Sequence, residues 1–362
     1  MKILHIISGN DNGGGANHVL NICKSKFENY NNIIGCIGSG CFYDKLKHLN
    51  YDYVLFPNAL NNNDIINYIN DNNIDVADFH GAKAFAIHKF INGRLNCHTA
   101  ATIHSDYRYD FMNNKMKKYL YTPLSYIGLK SFKSFVCVSQ SIKTLLNDKG
   151  FKGSKYVINN GININEIEIK ETRSEIRSQY NMSEQDIAFV NIARMHPVKN
   201  QKLLINAFKK LSSEFENVKL IIVGDGPLEN QLRQQCGDLN LQNKVIFTGF
   251  KSNPYGILNA CDISILTSIS EGGAPPLTVL ESGALKKPVI CTKVGDVDLN
   301  FTENEMIIIE NNADAVYSSM KKAMENLKEN FLGNNLYSEV QKNFTLHRFC
   351  TDYYNFYHDL CK

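Results

Sequence analysis

No apolar run in this sequence approaches the roughly 20 residues a helix needs to cross a bilayer, so no membrane span is expected. A secretory leader is not expected either, because Met1-Lys2-Ile3-Leu4-His5-Ile6-Ile7 is short and runs straight into glycines. Tryptophan is absent and asparagine is frequent, as in Asn61-Asn62-Asn63, a bias that mostly reflects genome composition. The ten cysteines lack the spacing of a metal site or a disulfide framework, and Cys36 and Cys41 have no companions. Reduced thiols and a cytoplasmic location follow as the expectation. Lys and Arg (39) exceed Asp and Glu (36) by only three, too small an excess to argue for a nucleic-acid partner. What remains is the ordinary composition of a soluble globular chain of 362 residues, long enough for two domains.

One stretch organises the rest, Ser270 to Gly283, reading S-E-G-G-A-P-P-L-T-V-L-E-S-G. The β-branched run Ile263-Ser264-Ile265-Leu266-Thr267 before it reads as a buried strand. Apolar residues at helical spacing follow from Leu277 to Leu285, and Pro276 suits a first helical turn. Gly272 and Gly273 allow a ligand close to the backbone, with Ala274 beside them. The helix start, with Leu277 and Thr278 in its first turn, offers N–H groups and a partial positive charge to a phosphate. Glu271 and Glu281 flank that anion site, and carboxylates are good acceptors for sugar hydroxyls. A sugar joined to a diphosphate is the ligand this layout suggests. An ordinary βα turn with two solvated glutamates fits the same residues.

Before this stretch the chain repeats a strand–loop–helix rhythm. Lys2 to Ile7 reads as a strand, followed by Gly13-Gly14-Gly15-Ala16-Asn17 and a helix from about His18 to Lys24. A glycine run there is the mononucleotide position of a Rossmann-like domain, although it is not G-x-G-x-x-G, and a flexible loop is the other reading. Two further strands end in histidines, Val76 to His80 and Thr99 to His104, where parallel sheets bind ligands. His80 fits a lone structural histidine, and His104 is the candidate for function. Lys115 to Lys133 interleaves Lys115, Lys117, Lys118, Lys130 and Lys133 with Tyr119, Tyr121, Tyr126 and Phe132. It suggests either an anionic membrane surface or a solvated helix with snorkelling lysines. After Asn163 a polar stretch, Asn165 to Gln185, suits an interdomain linker, and the rhythm restarts at Phe189. Arg194 and Lys199 then stand at a strand's carboxyl end as a candidate diphosphate clamp, or as two surface cations.

Several segments together resemble the retaining glycosyltransferases of family 4 (glycosyl transferases group 1). They are Val157-Ile158-Asn159-Asn160-Gly161-Ile162, Ala193 to Asn200, Gly224-Asp225-Gly226-Pro227-Leu228, Val245-Ile246-Phe247-Thr248-Gly249, and Glu271-Gly272 through Glu281. The glycine run and Thr102-Ile103-His104 fit as well. The resemblance implies the α/β GT-B fold, two Rossmann-like domains with a cleft between them. It places an acceptor-side domain at 1–165, a nucleotide-sugar domain at 166–343, and a terminal helix at 344–362 packing back on the first.

Under that resemblance Arg194 and Lys199 hold the donor diphosphate, Glu281 the ribose, Glu271 the donor sugar, and His104 lies near the transferring sugar. Gly13, Gly14 and Gly15 lie near the phosphates and acceptor. One departure is the separation of the two glutamates: nine residues lie between Glu271 and Glu281, two more than is usual in the family. Gly273 and Ala274 could then take over with their N–H groups. The implied reaction moves a sugar, with UDP as the expected nucleotide, to a saccharide or lipid-linked acceptor at the inner face of the membrane. No cofactor and no metal are expected, because Arg and Lys do the charge work. The Asp-x-Asp pair Asp296-Val297-Asp298 follows Gly295 and is expected in a loop beyond the donor turn. A nucleotide-sugar epimerase and a catalytically inactive partner subunit remain the other readings.

Overall fold

The computed structural model describes residues 1–11, 13–24, 27–57, 62–108 and 115–362, with the backbone alone for 115–121. It forms two units. The first comprises Met1–Gly161, Gly272–Ala274 and Leu346–Lys362; the second comprises Ile162–Glu271 and Pro275–Thr345.

The first unit holds strands β1 (Lys2–Ser8), β2 (Asn31–Ile37), β3 (Asp52–Phe56), β4 (Val76–His80), β5 (His98–Ile103), β6 (Ser134–Cys137) and β7 (Ser154–Val157). All pair in parallel, in the order β3-β2-β1-β4-β5-β6-β7. The second holds β8 (Ile187–Ile192), β9 (Val218–Val223), β10 (Val245–Gly249), β11 (Ile263–Leu266), β12 (Val289–Thr292) and β13 (Ile307–Ile309). These too are parallel, in the order β10-β9-β8-β11-β12-β13. Both are doubly wound Rossmann-like sheets. Their central strands are buried along their length, as a sheet covered on both faces requires. Each sheet reverses its strand order once, between β1 and β4 and between β8 and β11. Ligands of such sheets bind beyond the strands' carboxyl ends at these points.

Several local expectations are corrected. The first helix runs Gly14–Cys23, so it begins inside the glycine run rather than at His18. The polar stretch read as a linker contains a helix, Arg173–Gln179, whose Thr172 and Glu175 form a reciprocal capping box. Pro276 stands one position before the helix Leu277–Ala284, with extended ψ, rather than inside its first turn. Asp296-Val297-Asp298 opens a short helix, Val297–Asn300, instead of lying in a loop.

The C-terminal segment carries two helices, Phe331–Asn343 and Leu346–Leu360. The latter buries Phe349, Cys350, Tyr353, Phe356 and Tyr357, one face of a helix, and belongs to the first unit. It packs with Ile3, Val76, Ala100 and Val136 on one face of the first sheet. No helix among the described residues is long and apolar enough to cross a membrane.

Candidate active site

In the second unit, Arg194 and Lys199 follow β8, and Thr267 to Glu271 follow β11, the adjacent strand. Thr267 ties the two loops together, its hydroxyl donating to the carbonyls of Lys199 (3.1 Å) and Asn200 (3.3 Å). The Gly224-Asp225-Gly226-Pro227 motif braces the same loop from β9. A Cβ on Gly226 would meet the Met195 carbonyl oxygen at 2.4 Å, and Gly226 sits at φ +152°. Only glycine allows that approach. Met195 N–H in turn donates to the Asp225 carbonyl at 2.7 Å. The motif therefore acts as backbone scaffolding for the Arg194 loop.

Arg194 is exposed. Lys199 is not the independent cation that the sequence suggests: its Nζ lies 2.5 Å from Glu271 Oε1. Ser268 Oγ donates to the same oxygen at 2.6 Å. Glu271 thus reaches Lys199 despite its longer loop, and the two expected ligand groups form one ion pair.

Glu281 lies in the second turn of Leu277–Ala284. Burial pushes its carboxyl above the ordinary range, partly opposed by the Tyr255 hydroxyl, which donates to Oε1 at 3.1 Å. Burial and the Glu281 charge push the Tyr255 phenol up in turn. Tyr255 was not singled out in the sequence. The only local signal was Asn253, whose side chain accepts the Tyr255 N–H at 3.0 Å and sets the start of its helix. Leu277 is exposed, Thr278 is half-buried, and no side chain caps this helix.

In the first unit, Gly13-Gly14-Gly15 opens the first helix, but a protein carboxylate already sits there. Asp11 Oδ1 accepts the N–H of Gly13 (2.9 Å) and of Ala16 (3.3 Å). An anion at a helix N-terminus is favourable, and Asp11 supplies one that the sequence reading missed. Gly15 is glycine for a spatial reason: a Cβ there would lie 3.0 Å from Asp11 Oδ2 and 3.5 Å from His104 Cδ2. Asp11, Asn17, Cys41 and Lys45 line a cavity of about 190 Å³ at this end of the sheet.

His104 is half-buried and follows β5; His80 ends β4. His80 is not a lone histidine. Its Nδ1 is 3.1 Å from His104 Nε2, and its Nε2 is 3.3 Å from His5 Nδ1. Burial lowers His5 and His104 to about 4, with the Asp11 charge opposing it at His104. Burial, then the neighbouring imidazoles, hold His80 well below 6.5, and the same causes act on His18. His18 meets the His104 ring edge-on at 4.6 Å between centroids. Asp78 is buried beneath them, and burial raises it to about 7. Its Oδ2 accepts from Tyr357 (2.5 Å) and Thr102 (2.8 Å). His5, Asp78 and His80 bring three possible metal-ligand atoms within 4.8 Å of one another, a grouping invisible in the sequence. The side chains of 115–121, on which most of the membrane expectation rests, lie outside the described residues.

Two family models match this chain in succession: "Glycosyltransferase Family 4" over residues 43–166 and "Glycosyl transferases group 1" over residues 172–337. An uncharacterized glycosyltransferase of Methanocaldococcus jannaschii is 31% identical over 190 residues, covering 50% of this chain and 46% of that protein. The alpha-monoglucosyldiacylglycerol synthase of Streptococcus pneumoniae is 34% identical over 161 residues, covering 43% of this chain and 36% of that protein. The matched region therefore spans less than half of the length of either relative. Among solved structures, Anabaena HepE in complex with UDP superposes with a TM-score of 0.84 at 20% identity, covering 98% of this chain and 99% of that one. The fold is GT-B.

Proposed function

We propose, for a chain that belongs to the family 4 glycosyltransferases, transfer of a hexosyl or N-acetylhexosaminyl group from a nucleotide diphosphate, UDP in the first instance, with retention at the anomeric carbon. The acceptor is a saccharide or a lipid-linked saccharide, in cell-surface polysaccharide or glycoconjugate synthesis. The observation that carries this reading is the charge layout at the β8/β11 switch point: an exposed Arg194, a Lys199 paired with Glu271, and a half-buried Glu281 on the next helix.

When the bond between sugar C1 and the diphosphate breaks, negative charge builds on the departing phosphate oxygen. Fixed cations aimed at that oxygen lower the barrier without a metal. Arg194 supplies one. Lys199 supplies the second, and its partner Glu271 holds it in place while offering its second oxygen to a sugar hydroxyl. Glu281 projects back toward the start of its helix, where it reaches the ribose of a nucleotide whose phosphate lies at that start. The cavity beside Asp11 and Lys45 in the first unit suits the acceptor.

The deciding experiment is a screen of UDP- and GDP-sugars that follows nucleotide release with and without candidate acceptors, with the product's anomeric configuration read by NMR. Release that depends on acceptor and gives a retained linkage supports the reading. Free UDP formed without acceptor points to an epimerase. No release from any donor points to an inactive partner subunit. Peripheral membrane association is part of the proposal, and co-sedimentation with anionic vesicles, weakening as salt rises, tests it.

A further inference from the structure

Three histidines of the first unit, buried His5 and His80 and half-buried His104, form a chain with a direction. At one end, His5 Nε2 lies 3.0 Å from the Asn32 side-chain oxygen. That oxygen only accepts, so His5 carries its proton on Nε2 and turns a lone pair on Nδ1 toward His80. His80 Nε2, 3.3 Å away, must then be the donor. Asp78 enforces the same choice. Its Oδ2, 3.6 Å from His80 Nε2, already accepts from Tyr357 and Thr102, so it is an acceptor whether the carboxyl is ionised or carries its proton on Oδ1. An N–H on His80 Nε2 is favoured beside it, and a second lone pair is not. With that proton on Nε2, a neutral His80 turns a lone pair on Nδ1 toward His104 Nε2, 3.1 Å away in a ring only 18° from parallel. His104 must therefore donate from Nε2.

Every nitrogen between Asn32 and His104 is satisfied by this single assignment. The alternative, a proton on His80 Nδ1, leaves two lone pairs facing each other at 3.3 Å. The neighbouring His18 is locked separately. Its Nδ1 donates to Asn160 at 3.0 Å, and its Nε2 accepts from Tyr353 at 2.7 Å, so it faces His104 as a neutral ring.

We propose that His5, Asp78 and His80 are positioning residues that hold His104 as the Nε2–H tautomer, keeping its Nδ1 a permanent hydrogen-bond acceptor for a substrate hydroxyl. What His104 meets rests on the glycosyl-transfer reading; how it is held does not. The ring of a ligand histidine is commonly fixed by the partner of its other nitrogen, and here the device is built from imidazoles. Asp78, in turn, is held by a phenol from the terminal helix, so that helix takes part in setting a proton position in the first unit.

The test uses the full chain with ring-15N histidine, and His104→Asn identifies the His104 resonances. The wild-type spectrum is expected to show His104 protonated on Nε2 and bare on Nδ1 between pH 6 and 8, the range around an ordinary imidazole pKa of about 6.5. In His80→Phe the preference is lost, and kcat falls about tenfold to a hundredfold, the range for losing a ring-orienting partner. UDP affinity stays unchanged. His80→Gln, which offers an oxygen to His104 and an N–H to His5, restores both the tautomer and most of kcat. A wild-type His104 protonated on Nδ1 overturns the proposal, as does an unchanged tautomer in His80→Phe or stoichiometric zinc in the purified protein. The wild-type spectrum decides even if His80→Phe does not fold. It also needs no turnover, so failure of the transfer reading leaves this result standing.

Discussion

At the switch point of the first sheet, the polar groups are His5, His80 and His104, all held neutral by burial, above a carboxyl raised to about 7. At the equivalent point of the second sheet they are Arg194, Lys199 and Glu271, partly open to water, with Lys199 and Glu271 joined as an ion pair. One strand order serves both. The difference lies in what the loops expose. A short, partly wet loop after β8 tolerates cations, because water and a partner carboxylate screen them. The terminal helix covers β4 as far as Asp78, which accepts the Tyr357 hydroxyl, and in that buried layer an unpaired charge is costly and neutral imidazoles are the stable donors and acceptors. The first unit therefore offers directional hydrogen bonds, and the second offers charge.

The widest separation between the units is expected in acid. Folding lowers the histidines of the first unit, His5 and His104 to about 4 and His88 to about 3. The unfolded chain binds those protons at about 6.5, so their contribution is intact above that value and is lost as pH falls toward 4. Asp78 runs the other way: its raised pKa favours the folded state at low pH, and that contribution fades as pH rises through about 7. Three lowered imidazoles oppose one raised carboxyl, so the first unit is expected to lose stability as pH falls from about 6.5 toward 4. Hydrogen exchange at pH 7 and pH 4.5 should show the first sheet losing protection first. Earlier loss in the second sheet would break the comparison.

Next in size are the cations. Arg194→Ala and Lys199→Ala should each lower turnover by about 2–4 kcal/mol of barrier with the fold intact. Circular dichroism and steady-state kinetics check both halves, and near-normal turnover in both variants would remove the clamp.

The glutamates should separate. Glu281→Ala is expected to weaken UDP binding by roughly 1.5–3 kcal/mol, the scale of a hydrogen bond to a charged group. Glu271→Ala leaves Lys199 without its counter-charge, so UDP binding should not weaken while transfer falls. Calorimetric titration paired with turnover sharpens the assignment. Unchanged UDP affinity in Glu281→Ala would sink the ribose contact. The smallest effect is the expected absence of one: excess EDTA leaves activity intact, and activity restored only by manganese would falsify the charge-only account.

The strand–loop–helix rhythm was legible because each element carries its own pattern, and so were the positions of Arg194, Lys199 and Glu271 after strand ends and of Glu281 on the following helix. The helix Arg173–Gln179 was not read, because its polar surroundings suggested a linker; Thr172 and Glu175 carry the capping-box spacing that marks it. Asp11, Tyr255 and the His5–His80–His104 chain were not legible in the same way. His5 points to His80 across 75 positions of sequence, and Tyr357 reaches Asp78 across 279. No spacing rule covers pairs that only strand order brings together. The Lys199–Glu271 pair was hidden for the same reason, since each residue read separately is a free charge.

The return of Leu346–Leu360 to the first unit has a consequence for biosynthesis. Translation runs from the amino end, so the first sheet leaves the ribosome long before the segment that covers it. Until residues 353 and 357 emerge, His18 and Asp78 lack their phenols, and the face made by Ile3, Val76, Ala100 and Val136 is bare. The nascent first unit thus keeps one apolar sheet face uncovered through the synthesis of the entire second unit. A premature stop before Tyr353 leaves the second unit's sheet whole and the first without its lid.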